Sequence, residues 1–362
     1  MKAEELWKVS DGEGVTVAVL DDGVDAATPE LKGQVLKGLD LSGVKGKTDH
    51  HGTEMAALIA GTGERGGLEG LAPGSKILPI RTYIPGDLGD PSELWSEGIR
   101  YAVEQGAKVI NISQGVKDAD ESAVAKLQQA VDEAATRDVL IFAATGNDGD
   151  DRNVPAYPSA LRGVVGVSAV DKTGRVSKFS THGPQVALAS PGEDIPQRCS
   201  KADGFCSGQG TSHATALASA SAALIWSKHP DWTANQVLRV MMQTTSKPKG
   251  KVPSRYIGYG IIRPAQVLIE NRGDPGDPDV NPLFPDYRPG RAPSSPAAPQ
   301  SPGGKESRPP GQKEDRPGEA SASTDAAGEG NDALIWVAAS AAAGAVVLAA
   351  AFALIRTRRS RR

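Results

Sequence analysis

The chain has 362 residues and carries 40 Lys and Arg against 44 Asp and Glu, a net charge of −4. That balance leaves no surplus of positive charge for a nucleic-acid partner, and two cysteines fall short of the roughly four ligands that a zinc site takes. The length exceeds one average domain, and proline placement divides it: twelve of the 26 Pro lie between Asp274 and Asp332.

From the amino terminus, "VTVAVL" (15–20), "KILPIRTY" (76–83), "KVINIS" (108–113), "VLIFAATGN" (139–147) and "VVGVSAV" (164–170) are runs rich in Val and Ile and bounded by Gly, Asp or Pro. These are the marks of strands. Between them "PSELWSEGIRYAVEQG" and "DESAVAKLQQAVDEAATR" have helical periodicity. Two later helices are predicted, from about Thr211 to Lys228 and from Thr233 to Thr244, with Thr233 as the N-cap of the second. Continuous apolar strands alternating with helices predict an α/β fold whose mainly parallel sheet is covered on both faces. In such a sheet, chemistry gathers beyond the carboxyl ends of strands and at helix N-termini.

The two cysteines, Cys199 and Cys206, stand in "CSKADGFC". With no His between them, they read either as a disulfide closing a small loop, which fits an oxidising compartment, or as two free thiols. The disulfide is the expectation. Residues 1–272 are expected to form the folded domain, and 273–332, rich in Pro, Gly and Ser and poor in apolar residues, a disordered linker. Residues 333–355 carry no charge. At about 1.5 Å per residue they make roughly 35 Å of helix, enough to cross a hydrocarbon core of about 30 Å, and a single transmembrane helix is expected there. The arginine-rich "RTRRSRR" (356–362) then reads as a cytoplasmic tail. This topology puts the folded domain outside the cytoplasm. "MKAEELWKVSDGEG" holds no apolar core of signal length, so an export signal encoded upstream of Met1 is expected.

Three short stretches carry candidate chemistry. "VLDDGVD" delivers Asp21 and Asp22 to the end of the first strand, "TDHHGTEMAALIAGTG" sets a His-Gly-Thr before an apolar helical run, and "GQGTSHATA" sets a Ser at a helix start. Taken singly, each reads as a turn or a helix cap. A Ser in that place also has its backbone N–H unpaired and available to a developing oxyanion.

Together the three are hard to attribute to independent caps. The stretches "VAVLDDGVD", "HHGTEMAALIAG", "INISQG", "ATGND" and "GTSHATA", spread over about Gly14 to Met242, resemble the subtilisin-like serine proteases. The resemblance implies a subtilisin-like three-layer α/β fold and peptide-bond hydrolysis by an Asp-His-Ser triad; no cofactor or metal is expected. It makes Asp21 the orienting carboxylate, His51 the base and Ser212 the nucleophile. The oxyanion hole would be the Asn147 side chain with the Ser212 N–H. Ser113, Gln114 and Gly115, with Ala143, Ala144 and Thr145, would hold a protein or peptide substrate as an added strand and flank its specificity pocket.

Three positions depart from the family pattern. Asp22 stands where Ser or Thr is usual, and a second carboxylate near His51 is expected to raise its pKa. Ala216 replaces a Pro, so a change in helix geometry is expected. His213 follows the nucleophile and is expected at the rim, turned about 100° away. In "NDGDDRN", Asp148, Asp150 and Asp151 read as a solvated acidic loop in preference to a Ca²⁺ site. The architecture of protease domain, Pro-rich linker, one span and basic tail, with the Cys pair ahead of Gly-Thr-Ser, further resembles the mycosins, membrane-anchored subtilases associated with type VII secretion. That implies the secretion machinery as a partner, and leaves open a structural role in which proteolysis is secondary.

Overall fold

The five apolar runs read from the sequence are strands, and four further strands join them. The computed structural model describes residues 1–44, 50–82, 91–117, 119–199 and 204–289. In chain order the elements are α1 (Ala3–Trp7), β1 (Thr16–Asp21), β2 (Leu39–Asp40), α2 (His51–Ala60), β3 (Lys76–Arg81), α3 (Ser92–Glu104), β4 (Val109–Ile112), α4 (Glu121–Thr136), β5 (Leu140–Ala144), β6 (Val164–Val170), β7 (Val186–Pro191), β8 (Ile195–Arg198), β9 (Phe205–Gly208), α5 (Thr211–Lys228), α6 (Ala234–Gln243) and α7 (Pro264–Leu268). β7, in "VALASP", escapes sequence reading because its small residues lack the β-branched signature.

Seven strands form one parallel sheet in the order β2-β3-β1-β4-β5-β6-β7. Strand side chains alternate between faces, and β1 shows the result. Val17 and Val19 join a core with α2, α5 and α6, while Ala18 and Leu20 join a second core with Trp95 and Ile99 of α3 and Leu127 and Val131 of α4. β4, β5 and β6 are buried at every position, as strands covered on both faces must be. Strand order reverses direction at β1, which has β3 on one side and β4 on the other. The crevice at its carboxyl end is therefore the topological switch point, where ligands of open α/β sheets bind.

α5 runs through the middle of the first core. Ala, Ser and Thr fill most of it, and Thr211–Ala216 and Ala218–Trp226 are buried, so the helix lies close against the sheet. It continues past Ala216 without a break. α6 begins at Thr233, the N-cap that the sequence predicts, and the structure adds a capping box in which the Gln236 N–H donates to the Thr233 hydroxyl and the Thr233 N–H to the Gln236 side chain. A disulfide joins Cys199 to Cys206 across the antiparallel β8–β9 hairpin.

The linker boundary moves. Residues 273–289, assigned to the linker by composition, lie on the domain. The Arg239 guanidinium donates to the carbonyls of Pro275, Asp277 and Val280, the Asp274 N–H to Gln243 Oε1 (2.7 Å), and the Tyr287 hydroxyl to Asp132 (2.5 Å). Proline-rich chain lacks N–H groups but keeps its carbonyls, and one arginine collects three of them. A count of apolar residues does not register such polar anchoring. The predicted span 333–355, the basic tail 356–362 and the remainder of the predicted linker lie outside the described residues. Among the described residues no helix is long and apolar enough to cross a membrane.

Candidate active site

β1 ends on Asp21, and α2 begins on His51 directly above it. Gly52 makes the approach feasible: a side chain there would collide with the Gly23 carbonyl and crowd Asp22. His51 Nδ1 stands 2.8 Å from Asp21 Oδ1. That oxygen also accepts from the Asp22 N–H (2.8 Å) and from Gln114 Nε2 (3.2 Å), while Oδ2 is buried with no hydrogen-bond partner among the described residues. Asp21 is fully enclosed. Asp22 acts differently. Its carboxylate accepts from the main-chain N–H of His51 (3.2 Å) and of Gly52 (2.7 Å), so it caps α2 from outside the helix.

Ser212 occupies the first turn of α5, where its N–H has no partner one turn back. Its hydroxyl donates to the Ser113 carbonyl (2.9 Å), and the Ser113 hydroxyl donates to the Ser212 carbonyl (3.2 Å). Behind this exchange the Asn111 amide donates to Ser113 Oγ (2.9 Å) and accepts from Ser219 Oγ (3.1 Å). Sequence reading missed Asn111 and Ser219. The signal available was a polar residue inside the otherwise apolar "VINI". Asn147 is locked by its oxygen, which accepts from Thr211 N (2.8 Å) and Thr211 Oγ1 (2.9 Å). The amide Nδ2 makes no hydrogen bond among the described residues and is left for a ligand. Gly210, at φ 151°, ψ 159°, lets α5 begin abruptly.

The other expected site residues divide. Ser113 is a buried partner of the Ser212 turn, and Gln114 turns its amide to Asp21, so both support the site through contacts that the sequence did not foretell. Gly115 faces Ala156, with the Val116 and Tyr157 main chains bonded to each other below (3.0 and 2.8 Å). Ala143 does not line an opening: it sits in the core under α3 and α4, because alternation along β5 turns it away from the α5 face. Ala144 and Thr145 are also buried, and the exposed wall lies further on, at Gly146 and Asn147. His213 is corrected too. It is 5% exposed rather than at the rim, because the β8–β9 hairpin covers it and Gln197 Oε1 meets its Nε2 (2.5 Å). Asp148 is not simply solvated: Lys117 Nζ (2.7 Å) and Thr181 Oγ1 (2.7 Å) engage it.

Electrostatics single out His51. Its side chain keeps 37% of its surface exposed at the cleft. Burial of the rest works to lower its pKa, but Asp21, by charge and by hydrogen bond, outweighs that, and Asp22 and Glu54 add to it, holding the imidazole at about 9. To serve as the base expected from the sequence it must be neutral, so kcat/KM is expected to rise with pH, with an acid limb near 9. A pH profile that has already levelled at pH 7 would contradict this coupling.

Comparison with known proteins agrees with the geometry. The major intracellular serine protease of Bacillus subtilis (strain 168) is 35% identical over 207 residues, 54% of this chain; the chain spans 63% of that relative's length. The MycP3 protease from the type VII (ESX-3) secretion system superposes with a TM-score of 0.64 at 32% identity, over 74% of this chain and 85% of that one. MycP1, described as an essential component of the type VII (ESX-1) secretion system, superposes at 0.64 with 29% identity over 74% and 86% of the two chains. The Subtilase family model matches residues 12–260, from just before β1 to beyond α6 and so across all the residues assembled above, and the chain belongs to the subtilase family.

Proposed function

We propose that the chain is a serine endopeptidase acting on secreted or envelope proteins. The observation that carries the reading is the His51–Asp21 bond, joined by the segment Ser113–Gln114 to a serine at a helix start: the Gln114 amide donates to Asp21 and the Ser113 carbonyl accepts from the Ser212 hydroxyl. In the reaction the Ser212 hydroxyl leaves the Ser113 carbonyl and turns to His51 Nε2. Its oxygen bonds to the scissile carbonyl carbon as its proton passes to Nε2. Charge then develops on the carbonyl oxygen, next to the Ser212 N–H and Asn147 Nδ2. Collapse breaks the C–N bond, and His51 returns the proton to the leaving amine. Water, deprotonated by His51, cleaves the acyl-enzyme and restores Ser212. Asp21 fixes the ring so that Nε2 faces the serine. A fluorophosphonate probe is expected to label Ser212 in the full chain. A probe that leaves Ser212 unmodified overturns the reading.

The enzyme is held at the membrane by residues 333–355, its domain outside the cytoplasm and the arginine tail inside. The uncharged run, the basic flank and the hairpin disulfide support this. Protease added to intact cells is then expected to remove the domain and spare the tail. Structural likeness to type VII secretion proteases supports work near a secretion channel. One of those relatives is described as an essential component, which favours a second reading in which the folded domain stabilises the channel. Secretion by a Ser212→Ala strain that matches wild type, where a deletion strain fails, would select the structural role.

A further inference from the structure

The residue following the nucleophile has no place in the mechanism above, yet it is built into the same pocket. A methyl group placed on Gly210 would stand 3.5 Å from Asn147 Nδ2, 3.5 Å from His213 Nδ1 and 3.7 Å from the Ser212 N. Apart from its chain neighbours, the three nearest atoms to that point are nitrogens. Two are the oxyanion donors already assigned. The third belongs to an imidazole that is 5% exposed and whose Nδ1 is buried with no partner among the described residues. A buried ring nitrogen left without a partner costs stability that an apolar side chain of similar size would not. Packing alone therefore does not account for it.

Burial, with the neighbouring His51 charge, pushes the His213 pKa down to about 4. The ring is neutral at working pH and carries one N–H. Its other nitrogen, Nε2, meets the Gln197 amide of β8, and Gln197 makes no other side-chain hydrogen bond among the described residues. That amide can therefore offer Nε2 either its oxygen or its NH₂ group. With the oxygen toward Nε2, the Nδ1 lone pair would point at a growing negative charge. With the NH₂ toward Nε2, the single proton sits on Nδ1 and points where charge develops.

We propose that His213 is a third donor of the oxyanion pocket, its Nδ1–H directed at the tetrahedral oxygen while the Gln197 amide donates to Nε2. The hairpin that carries Gln197 thereby sets the tautomer of a catalytic residue. It is anchored firmly enough to do so, since Arg198 forks onto buried Glu30 (3.0 and 2.6 Å) and the Cys199–Cys206 bridge closes the two strands. Because the donor acts only on the tetrahedral species, it affects kcat and leaves substrate affinity unchanged.

The inference rests on the proteolytic reading, and one experiment separates the two. Full-length wild type, His213→Phe and His213→Asn are compared on a peptide substrate, on a peptide aldehyde that adds to Ser212, and on the corresponding unreactive peptide. His213→Phe is expected to lower kcat about tenfold, less than the 10²–10³ of a principal donor, with KM within about twofold. Its affinity for the aldehyde is expected to fall by the same factor, while the unreactive peptide binds as before. His213→Asn, which sets an amide N–H near the Nδ1 position, recovers most of the loss. Nitrogen-15 spectra of the histidine-labelled wild-type aldehyde adduct are expected to show Nδ1 protonated, a reading that stands even if His213→Phe does not fold. A kcat within about twofold of wild type, equal losses for both ligands, or an unprotonated Nδ1 overturns the proposal. A wild type that neither cleaves peptide nor forms the adduct overturns proteolysis itself.

Discussion

Ser212→Ala and His51→Ala are each expected to lower kcat by about 10⁶, and the double variant by no more than either alone, a magnitude carried over from subtilisin itself. The serine hydroxyl is a weak nucleophile until a base removes its proton, so losing the base or the oxygen ends the same step. In the resting protein the hydroxyl is bonded to the Ser113 carbonyl, which sharpens the expectation. Only a neutral imidazole at His51 can draw it away, and without that ring the resting bond persists. Binding should survive both changes, since the main chain at Ser113–Gly115, where substrate is expected to lie, and the Asn147 amide are untouched. Equal losses in KM and kcat would show instead that the site had collapsed. A kcat that falls less than about 10³ in His51→Ala would take His51 out of the mechanism.

Asp21→Asn is expected to cost about 10⁴ in kcat, and Asp22→Ser less than about tenfold, although the residues are adjacent and chemically identical. Asp21 Oδ1 collects three donors, the His51 ring, the Asp22 N–H and the Gln114 amide. An asparagine that keeps its oxygen at that point loses the negative charge that stabilises the imidazolium, and one that sets its NH₂ group there gives up the acceptor shared with the Asp22 N–H and Gln114 and offers Nδ1 a donor instead. That favours the ring tautomer with its proton on Nε2, which cannot accept the serine proton. Asp22 accepts from the main chain of α2. It holds the first turn of α2 by two main-chain N–H groups, and a serine can still cap one of them, at a cost of about 1 kcal/mol. Removing its charge also removes one of the influences that raise His51, so the acid limb should move below 9. Stopped activity in Asp22→Ser with mild loss in Asp21→Asn would mean that the two aspartates exchange roles.

The candidate catalytic residues were legible because each stands in a local pattern and the patterns together resemble a known family. An aspartate closes an apolar strand, His-Gly-Thr opens a helix, and Gly-Thr-Ser opens another, and local rules of strand ends and helix starts connect these patterns to positions in a parallel sheet. Asp21, His51 and Ser212 fall at the end of β1 and the starts of α2 and α5 as the sequence required. What surrounds them was not legible, because it depends on which groups meet across distant stretches of chain. Nothing in "SQG" says that Gln114 turns to Asp21 rather than to substrate, and in "DDG" only the resemblance assigns Asp21 to the ring, while nothing there says that Asp22 caps the helix. Ala143 read as site lining because its neighbours are; alternation along a strand buried on both faces sent it into the core. His213 read as rim because helical geometry turns it away from Ser212, and only the β8–β9 hairpin, folding over from residues before it, encloses it against Gln197. The boundary at 272 failed for a related reason: composition measures how much apolar surface a segment can bury, and residues 273–289 are held instead by carbonyls given to Arg239. Sequence determined the placement and order of the candidate groups at a strand end and two helix starts, since periodicity and helix capping are local. Their protonation, orientation and enclosure were decided by tertiary contacts, since burial and hydrogen-bond partnership exist only once distant segments are brought together.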